Sequence, residues 1–241
     1  MRILISNDDG IRARGIIELA KLARTISDDV WVVAPKEQCS AMSHKMTPFR
    51  PMRVTKVFDF PVEGVRAFSV GGTPGDSVKV ALQWLMKDQE PDVLLTGINE
   101  GYNAGYDIMY SGTVAAAMEG AARGIPSYAF SLTPRKPFDL VEAYFKEVWD
   151  YVSKTELTRG QVWNINFPGC KPEECQGIKK TVPALMEFYS TGGFVEEKID
   201  DEETFLMIER GGERDPEPGT DLYELIHNYI SVDVLQCEIF H

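Results

Sequence analysis

The opening stretch MRILISNDDG sets two carboxylates, Asp8 and Asp9, side by side directly after the β-tolerant residues Ile3, Leu4, Ile5 and Ser6. Carboxylates held that close repel, and one takes up a proton unless positive charge stands between them. A divalent cation removes the conflict. Two later clusters supply matching donors: Ser40 and Ser43 in CSAMS, and Asn99 in GINEGYN. Two carboxylates, a hydroxyl from Ser40 or Ser43 and the carboxamide of Asn99 make an all-oxygen shell, which suits Mg²⁺ or Mn²⁺ better than zinc. The competing reading is that Asp8 and Asp9 cap the helix that follows. A second stretch, YSGTVAAAMEG, places Ser111, Gly112 and Thr113 where a helix begins. Free backbone N–H groups beside hydroxyls form an anion pocket there, and Gly112 allows close backbone approach. Ordinary N-capping by Ser111 is the alternative.

Other residues carry weaker signals. GGTPGD (71–76) is a turn and cap or part of a substrate pocket; it is not the dinucleotide fingerprint, which needs GxGxxG directly after the first strand. His44, His227 and His241 are too dispersed for a typical zinc site, and His44 is a solvated loop side chain or a group reaching the metal loop. Tyr102, Tyr106 and Tyr110 stack a base or pack a loop. Ala115 to Ala117 with Gly120 suit close helix-to-sheet packing.

These groups need a scaffold, and the pattern between them describes one. Ile16, Leu19, Ala20, Leu22, Ala23 and Ile26 recur at helical spacing over 13–26, between the first strand and VWVVA (30–34). Residues 36–50 have no period and read as a loop. Strands follow at 53–57 and 65–70, then a helix over SVKVALQWLMK, the strand DVLLT (92–96), the small-residue helix GTVAAAMEGAARG, the strand SYAFS (127–131), an amphipathic helix over 138–153 and VWNINF (162–167). Alternating strand and helix means an α/β fold with a mostly parallel sheet covered on both faces. Ligands bind outside the carboxyl ends of such strands, and Asp8-Asp9, CSAMS and GINEGYN fall at three of them. From Cys170 onward the texture changes to hairpin-like strands such as TFLMIE (204–209), the Pro/Gly-rich GGERDPEPGTD and a closing YISVDVLQCEI. That last stretch alternates Ile230, Val232 and Val234, as a strand joining or exchanging with a neighbour would.

With 241 residues, 44% hydrophobic and 26% charged, the chain matches ordinary globular usage, and no apolar run approaches a membrane span. No signal-peptide pattern stands at the N-terminus, so a cytoplasmic location is expected. The cysteines, Cys39, Cys170, Cys175 and Cys237, lack CxxC spacing and read as reduced structural thiols, although Cys170 and Cys175 are close enough in sequence to pair or bind metal. A net charge of −12 argues against binding a polynucleotide.

The motifs ILISNDDG, VVAP followed by Ser40 and Ser43, GGTPGDSV, GINEGYNAGYDIMYSGTVAAAMEG, NINFP, and PGTD with YISV occur in order from residue 1 to about 234. Together they resemble the SurE family, the stationary-phase survival proteins that act as metal-dependent 5′/3′-nucleotidases. The resemblance implies one divalent ion, Mg²⁺ or Mn²⁺, on Asp8, Asp9, Ser40 and Asn99. Asp8 and Asp9 are the catalytic candidates because they hold that ion, and the sequence leaves open whether one of them is also base or nucleophile, a metal-bound hydroxide being the favoured alternative. It implies phosphate held by Asn103, Ser111, Gly112 and Thr113, with Asn99 beside it. It also implies a three-layer α/β/α Rossmann-like core over 1–169, and over 170–241 an extended C-terminal β-hairpin with swapped segments that build a homodimer or homotetramer. Ala41, Cys39 and Asn228 depart from the family pattern; the loss of a basic side chain at Cys39 bears on phosphate affinity. The expected reaction is hydrolysis of a nucleoside monophosphate to nucleoside and phosphate. The rivals are a nucleotide-binding regulatory module without turnover and a nicotinamide-dependent oxidoreductase, which the missing fingerprint disfavours.

Overall fold

The computed structural model describes residues 1–188, 193–198, 204–208 and 215–237. The buried run Ile3, Leu4, Ile5 forms β1 (Arg2–Ser6) at the middle of a nine-stranded sheet. The chain then builds α1 (Arg14–Arg24), β2 (Asp29–Pro35), β3 (Val54–Val57), β4 (Val65–Val70), α2 (Pro74–Val80), β5 (Val93–Glu100), α3 (Gly112–Ala121), β6 (Ser127–Leu132), α4 (Asp139–Val152) and β7 (Gln161–Phe167). Short β8 (Ile178–Lys180), the β9 (Phe194–Lys198) and β10 (Thr204–Ile208) pair, α5 (Asp221–Ile226) and β11 (Ile230–Gln236) follow.

The sheet order is β3-β4-β2-β1-β5-β6-β7-β11-β8, with β9 and β10 in a separate antiparallel pair. Antiparallel pairing within the large sheet is confined to β3 with β4 and β7 with β11. Alternate side chains on β1 explain the layers. Ile3 and Ile5 join Ile16 and Leu19 of α1 and Phe145 and Val148 of α4 on one face. Leu4 joins Val78 of α2 and Ala116 of α3 on the other. The result is three layers, α/β/α, and Ala115 to Ala117 let α3 lie close against β5 and β6.

After β1 the chain moves toward β2 on one side, while β5 lies on its other side. This is the divergence at which open α/β sheets form a crevice, and the loops after β1 and β5 meet there. Three elements differ from their sequence expectations. α2 begins at Pro74, three residues before the expected Ser77, because Thr73 and Asp76 form a reciprocal capping box with Pro74 in the first turn. Its end loosens into a π-helical turn over Ala81–Leu85. β5 runs on past Thr96 to Glu100, with a register break between Thr96 and Asn99, so GINE belongs to the strand end rather than to a loop. The closing strand joins the sheet between β7 and β8, one of its two expected outcomes, but a helix not expected there, α5, starts at Asp221, the last residue of the Pro/Gly-rich stretch, and runs to Ile226 before it. Glu209 of TFLMIE, 211–214 of GGERDPEPGTD, and Glu238 and Ile239 of YISVDVLQCEI lie outside the described residues.

Candidate active site

The NDDG turn is built by Asn7. Its buried side chain donates from Nδ2 to Gly10 O at 3.0 Å and accepts from Gly10 N at 3.2 Å, closing a loop with Asp8 and Asp9 at its tip. Gly10 adopts φ +99°, which only glycine takes without strain. Neither aspartate caps the next helix. The N-cap of α1 is Ala13, with no side-chain cap, so the capping alternative fails.

Asp8 is 4% exposed and docks on the start of α3, where Thr113 Oγ1 donates to its Oδ1 at 2.6 Å and the Thr113 backbone adds a further hydrogen bond. Burial, reinforced by the charge of Asp9, pushes the Asp8 carboxyl up to about 6, and the Thr113 bonds offset only part of that. Burial also raises Asp9, with the Glu100 backbone and Gln38 pulling the other way and the Glu100 charge adding to the rise. The groups that hold these two carboxylates down are hydrogen-bond donors; no cationic side chain is among them.

The loop 36–50 is fastened to this turn. Cys39 N donates to Asp8 O at 2.7 Å, which delivers Ser40 to the rim. Gln38 Nε2 donates to Ser40 Oγ at 2.9 Å and to Asp9 Oδ1 at 3.3 Å, so both oxygens converge on one electropositive nitrogen. Ser43 is spent elsewhere: its hydroxyl donates to Met109 O at 3.0 Å, and it does not line the cavity. Asn99 Nδ2 donates to Gly101 O at 2.8 Å, an orientation that leaves Oδ1 as the free acceptor. Two acidic groups and an amide oxygen that have, among the described residues, no cationic partner and no donor respectively, with a hydroxyl drawn toward a donor, are an all-oxygen set that fits a hard divalent cation. Among the described residues no group of three or more His, Cys, Asp or Glu offers another metal centre.

Asp8, Asp9, Ser40, Asn99, Asn103 and Ser111 line one cavity of about 590 Å³, within the range of small-molecule sites. Gly112 and Thr113 lie behind Asp8. A Cβ on Gly112 would stand 2.8 Å from Asp8 Cβ and 3.0 Å from Oδ2, so glycine there is what lets α3 meet the acid turn. Ser111 is the N-cap of α3, accepting from Val114 N at 3.0 Å, which leaves its O–H able to donate. The N–H of Gly112, first in the helix, has no intrahelical acceptor. Thr113, expected at the phosphate, instead commits its hydroxyl to Asp8.

Several residues fall outside this cluster. GGTPGD acts as the cap of α2 and as an anchor for the loop, with Thr73 Oγ1 donating to Lys45 O at 2.6 Å and Asp76 Oδ1 accepting from Thr47 N at 3.1 Å. His44 does not line the cavity; it is the exposed loop side chain expected, and its Nε2 also meets Glu119 Oε2 of α3 at 2.9 Å. Tyr102 and Tyr110 line the cavity, Tyr102 edge-on to Phe188 at 5.4 Å. Gln38, Asn164 and Asn166 were missed by sequence reasoning. Asn164 and Asn166 grip Asn103, and their signal is two amides at i, i+2 inside an otherwise apolar buried strand, VWNINF. All four cysteines are free thiols. Among the described residues no helix is long and apolar enough to cross a membrane.

The family model described as Survival protein SurE matches residues 3–189. The chain belongs to the SurE family. A Paramagnetospirillum magneticum protein named 5′-nucleotidase SurE is 40% identical over 248 residues, spanning 100% of this chain and 92% of that protein. A protein of the same name from Bradyrhizobium diazoefficiens is 36% identical over 250 residues, spanning 99% and 94%. The crystal structure of the SurE protein from Aquifex aeolicus superposes with a TM-score of 0.82 at 31% identity, covering 98% of this chain and 93% of that one. Membership in the SurE family therefore extends to the fold as well as to the sequence.

Proposed function

We propose that this chain is a metal-dependent phosphomonoesterase that hydrolyses nucleoside 5′-monophosphates, and their 3′ isomers, to nucleoside and phosphate. The observation that carries the reading is one cavity in which a carboxylate pair, without a cationic partner among the described residues, stands against the start of α3. The names of the full-length relatives point the same way.

Asp8, Asp9, Ser40 and Asn99 would hold one Mg²⁺ or Mn²⁺, with Asn99 also beside the phosphate. Such an ion, when bound, supplies charge to the phosphoryl oxygens and acidity to a coordinated water. The chain's own groups position the substrate. The Ser111 hydroxyl and Gly112 amide donate to phosphoryl oxygens, whose negative charge the start of α3 favours. Thr113 acts through Asp8, holding that carboxylate in place. Asn103, fixed through its backbone and by its Nδ2 bond to Ser131 Oγ at 2.8 Å, presents its carboxamide to the same cavity. The apolar side of the cavity, with Tyr110, Pro134 and Ile208, takes the nucleoside.

The same reading places the enzyme in the cytoplasm, in keeping with its free thiols, and as a homodimer or homotetramer assembled through residues 170–241 around the core 1–169. A net charge of −12 supports small nucleotides rather than polynucleotides as substrates. The test is phosphate release from 5′- and 3′-nucleoside monophosphates with Mg²⁺ or Mn²⁺ and with chelator. Release that needs the metal and disappears in Asp9→Ala, at unchanged melting temperature, is expected. Nucleotide binding without release would instead identify a regulatory module.

A further inference from the structure

Beneath the cavity, β7 and β11 run antiparallel with Asn164 directly opposite Asp233. Side chains so paired project to the same face of the sheet. Both are buried, Asp233 to 1% and Asn164 to 0% exposure. The Asn164 amide has only one workable orientation: its Nδ2 donates to Asn103 O at 2.8 Å, and reversing it would set oxygen against oxygen. Among the described residues its Oδ1 then has no donor within hydrogen-bond geometry, and neither oxygen of Asp233 has one. Neighbouring buried acceptors cannot satisfy each other. One proton on Asp233 resolves the arrangement, because a carboxylic acid donates where a carboxylate only accepts.

The surroundings favour that proton. Asp221, at the start of α5, accepts from Gly105 N at 2.8 Å, Ala184 N at 2.9 Å and Leu222 N at 2.7 Å, three donors that favour its ionised form and pull against the burial that raises its carboxyl. Glu224 of α5 and Lys179 of β8 pair with each other at 2.9 Å. Burial, and then the charge of Asp221, push the Asp233 carboxyl well above its usual range, and Asn164 offsets little of this.

The amide on the other side of the contact reaches the active site. Asn103 O accepts from Asn164 Nδ2 and from Asn166 Nδ2 at 3.0 Å, while Asn103 N donates to Asn166 Oδ1 at 2.9 Å. Asn103 lines the cavity. We propose that Asp233 is a neutral carboxylic acid whose O–H donates to Asn164 Oδ1, and that through Asn164 it is a positioning residue for Asn103 in nucleotide binding.

The second half of this proposal rests on the phosphomonoesterase reading; the first half does not. Infrared difference spectra of the full chain, parent against Asp233→Asn at neutral pH, should show the carbonyl band of a protonated carboxyl group in the parent alone. Carboxylate bands there instead would overturn the proposal. In steady-state kinetics Asp233→Asn, whose amide N–H replaces the donor, should keep KM within about twofold, while Asp233→Leu raises it about tenfold with less effect on kcat. An Asp233→Asn enzyme with KM raised about tenfold despite the infrared band would refute the positioning role, a comparison that stands even where Asp233→Leu does not fold. Stability gives a third readout. A carboxyl neutral in the folded state and ionised in the unfolded one costs stability as pH rises from about 4 toward the folded value. Asp233→Asn should flatten that decline, and an unchanged slope would count against the neutral acid. If the parent releases no phosphate but the band is present, the phosphomonoesterase reading fails and the buried acid stands.

Discussion

Two acids at the tip of one turn repel each other and are penalised by burial, and for Asp8 the Thr113 hydrogen bonds offset part of that cost while Gly112 lets the helix come close enough to make them. Thr113→Val keeps the shape of the side chain and deletes the 2.6 Å bond to Asp8 Oδ1. The variant should bind Mn²⁺ about tenfold more weakly, the usual loss when a ligand is no longer oriented by its neighbour; metal titration followed by calorimetry checks it. Gly112→Ala acts by displacement. The added Cβ would sit 2.8 Å from Asp8 Cβ and 3.2 Å from Pro74 Cγ, so the acid turn must move. A shift on the order of 1 Å costs about a hundredfold in rate, whereas alanine's helix preference over glycine is worth only about 1 kcal/mol in the other direction. The prediction is a collapse of kcat/KM with little change in melting temperature, and parental kinetics in this variant would show that Asp8 is not where the chemistry occurs.

The element that assembles the site is the 36–50 loop, and it has no regular structure of its own. It is held at Asp8 O by Cys39, at Met109 and Tyr110 by Ser43, at α2 through Thr47 and Lys45, and at α3 by His44 on Glu119. Glu119 is the buried end of that last tie. Burial pushes its carboxyl up, but His44, Arg123 and Lys79 outweigh burial and hold it below the usual range. A carboxyl with a lowered folded value contributes stability above its unfolded pKa and loses it as pH falls through the folded one. Glu119→Gln should therefore cost about 1.5–3 kcal/mol at neutral pH, and the gap from the parent should close below about pH 4; urea unfolding at a series of pH values measures both. This also marks how far the sequence could be read. The strands and amphipathic helices announced themselves because Ile3 to Ile5, or Ile16 with Leu19 and Ala23, repeat a local period. NDDG, CSAMS and GINEGYN could be assigned to one rim because strand ends collect there. The Thr113 bond to Asp8 spans 105 residues and the His44 contact with Glu119 spans 75, and such pairings leave no local pattern. Nor does composition reveal that Ser40 faces the cavity while Ser43 is turned to Met109.

For the whole molecule, the β9–β10 pair is the feature that calls for a covering partner. Phe205, Leu206, Met207 and Ile208 are exposed by 57–69%, and Phe194 and Val195 across the ladder by 65% and 44%. Successive residues of a strand point to opposite faces, so both faces of this ribbon carry exposed apolar side chains. An isolated two-stranded ribbon is marginally stable in water, and an apolar edge of this kind invites pairing. Each fully buried side chain of this size contributes about 1.5–3 kcal/mol, and a two-fold interface counts each contribution twice. Two such side chains per copy already approach the cost of association, about 4–15 kcal/mol. A second copy is thus sufficient to cover the ribbon. Light scattering on the eluting protein should give a multiple of 27.0 kDa. Phe205→Glu combined with Met207→Glu, which charges one face while leaving Ile208 at the cavity, should shift the mass toward that of one chain. A parent protein that elutes at the single-chain mass would remove the ribbon from the assembly and leave its apolar faces to another partner.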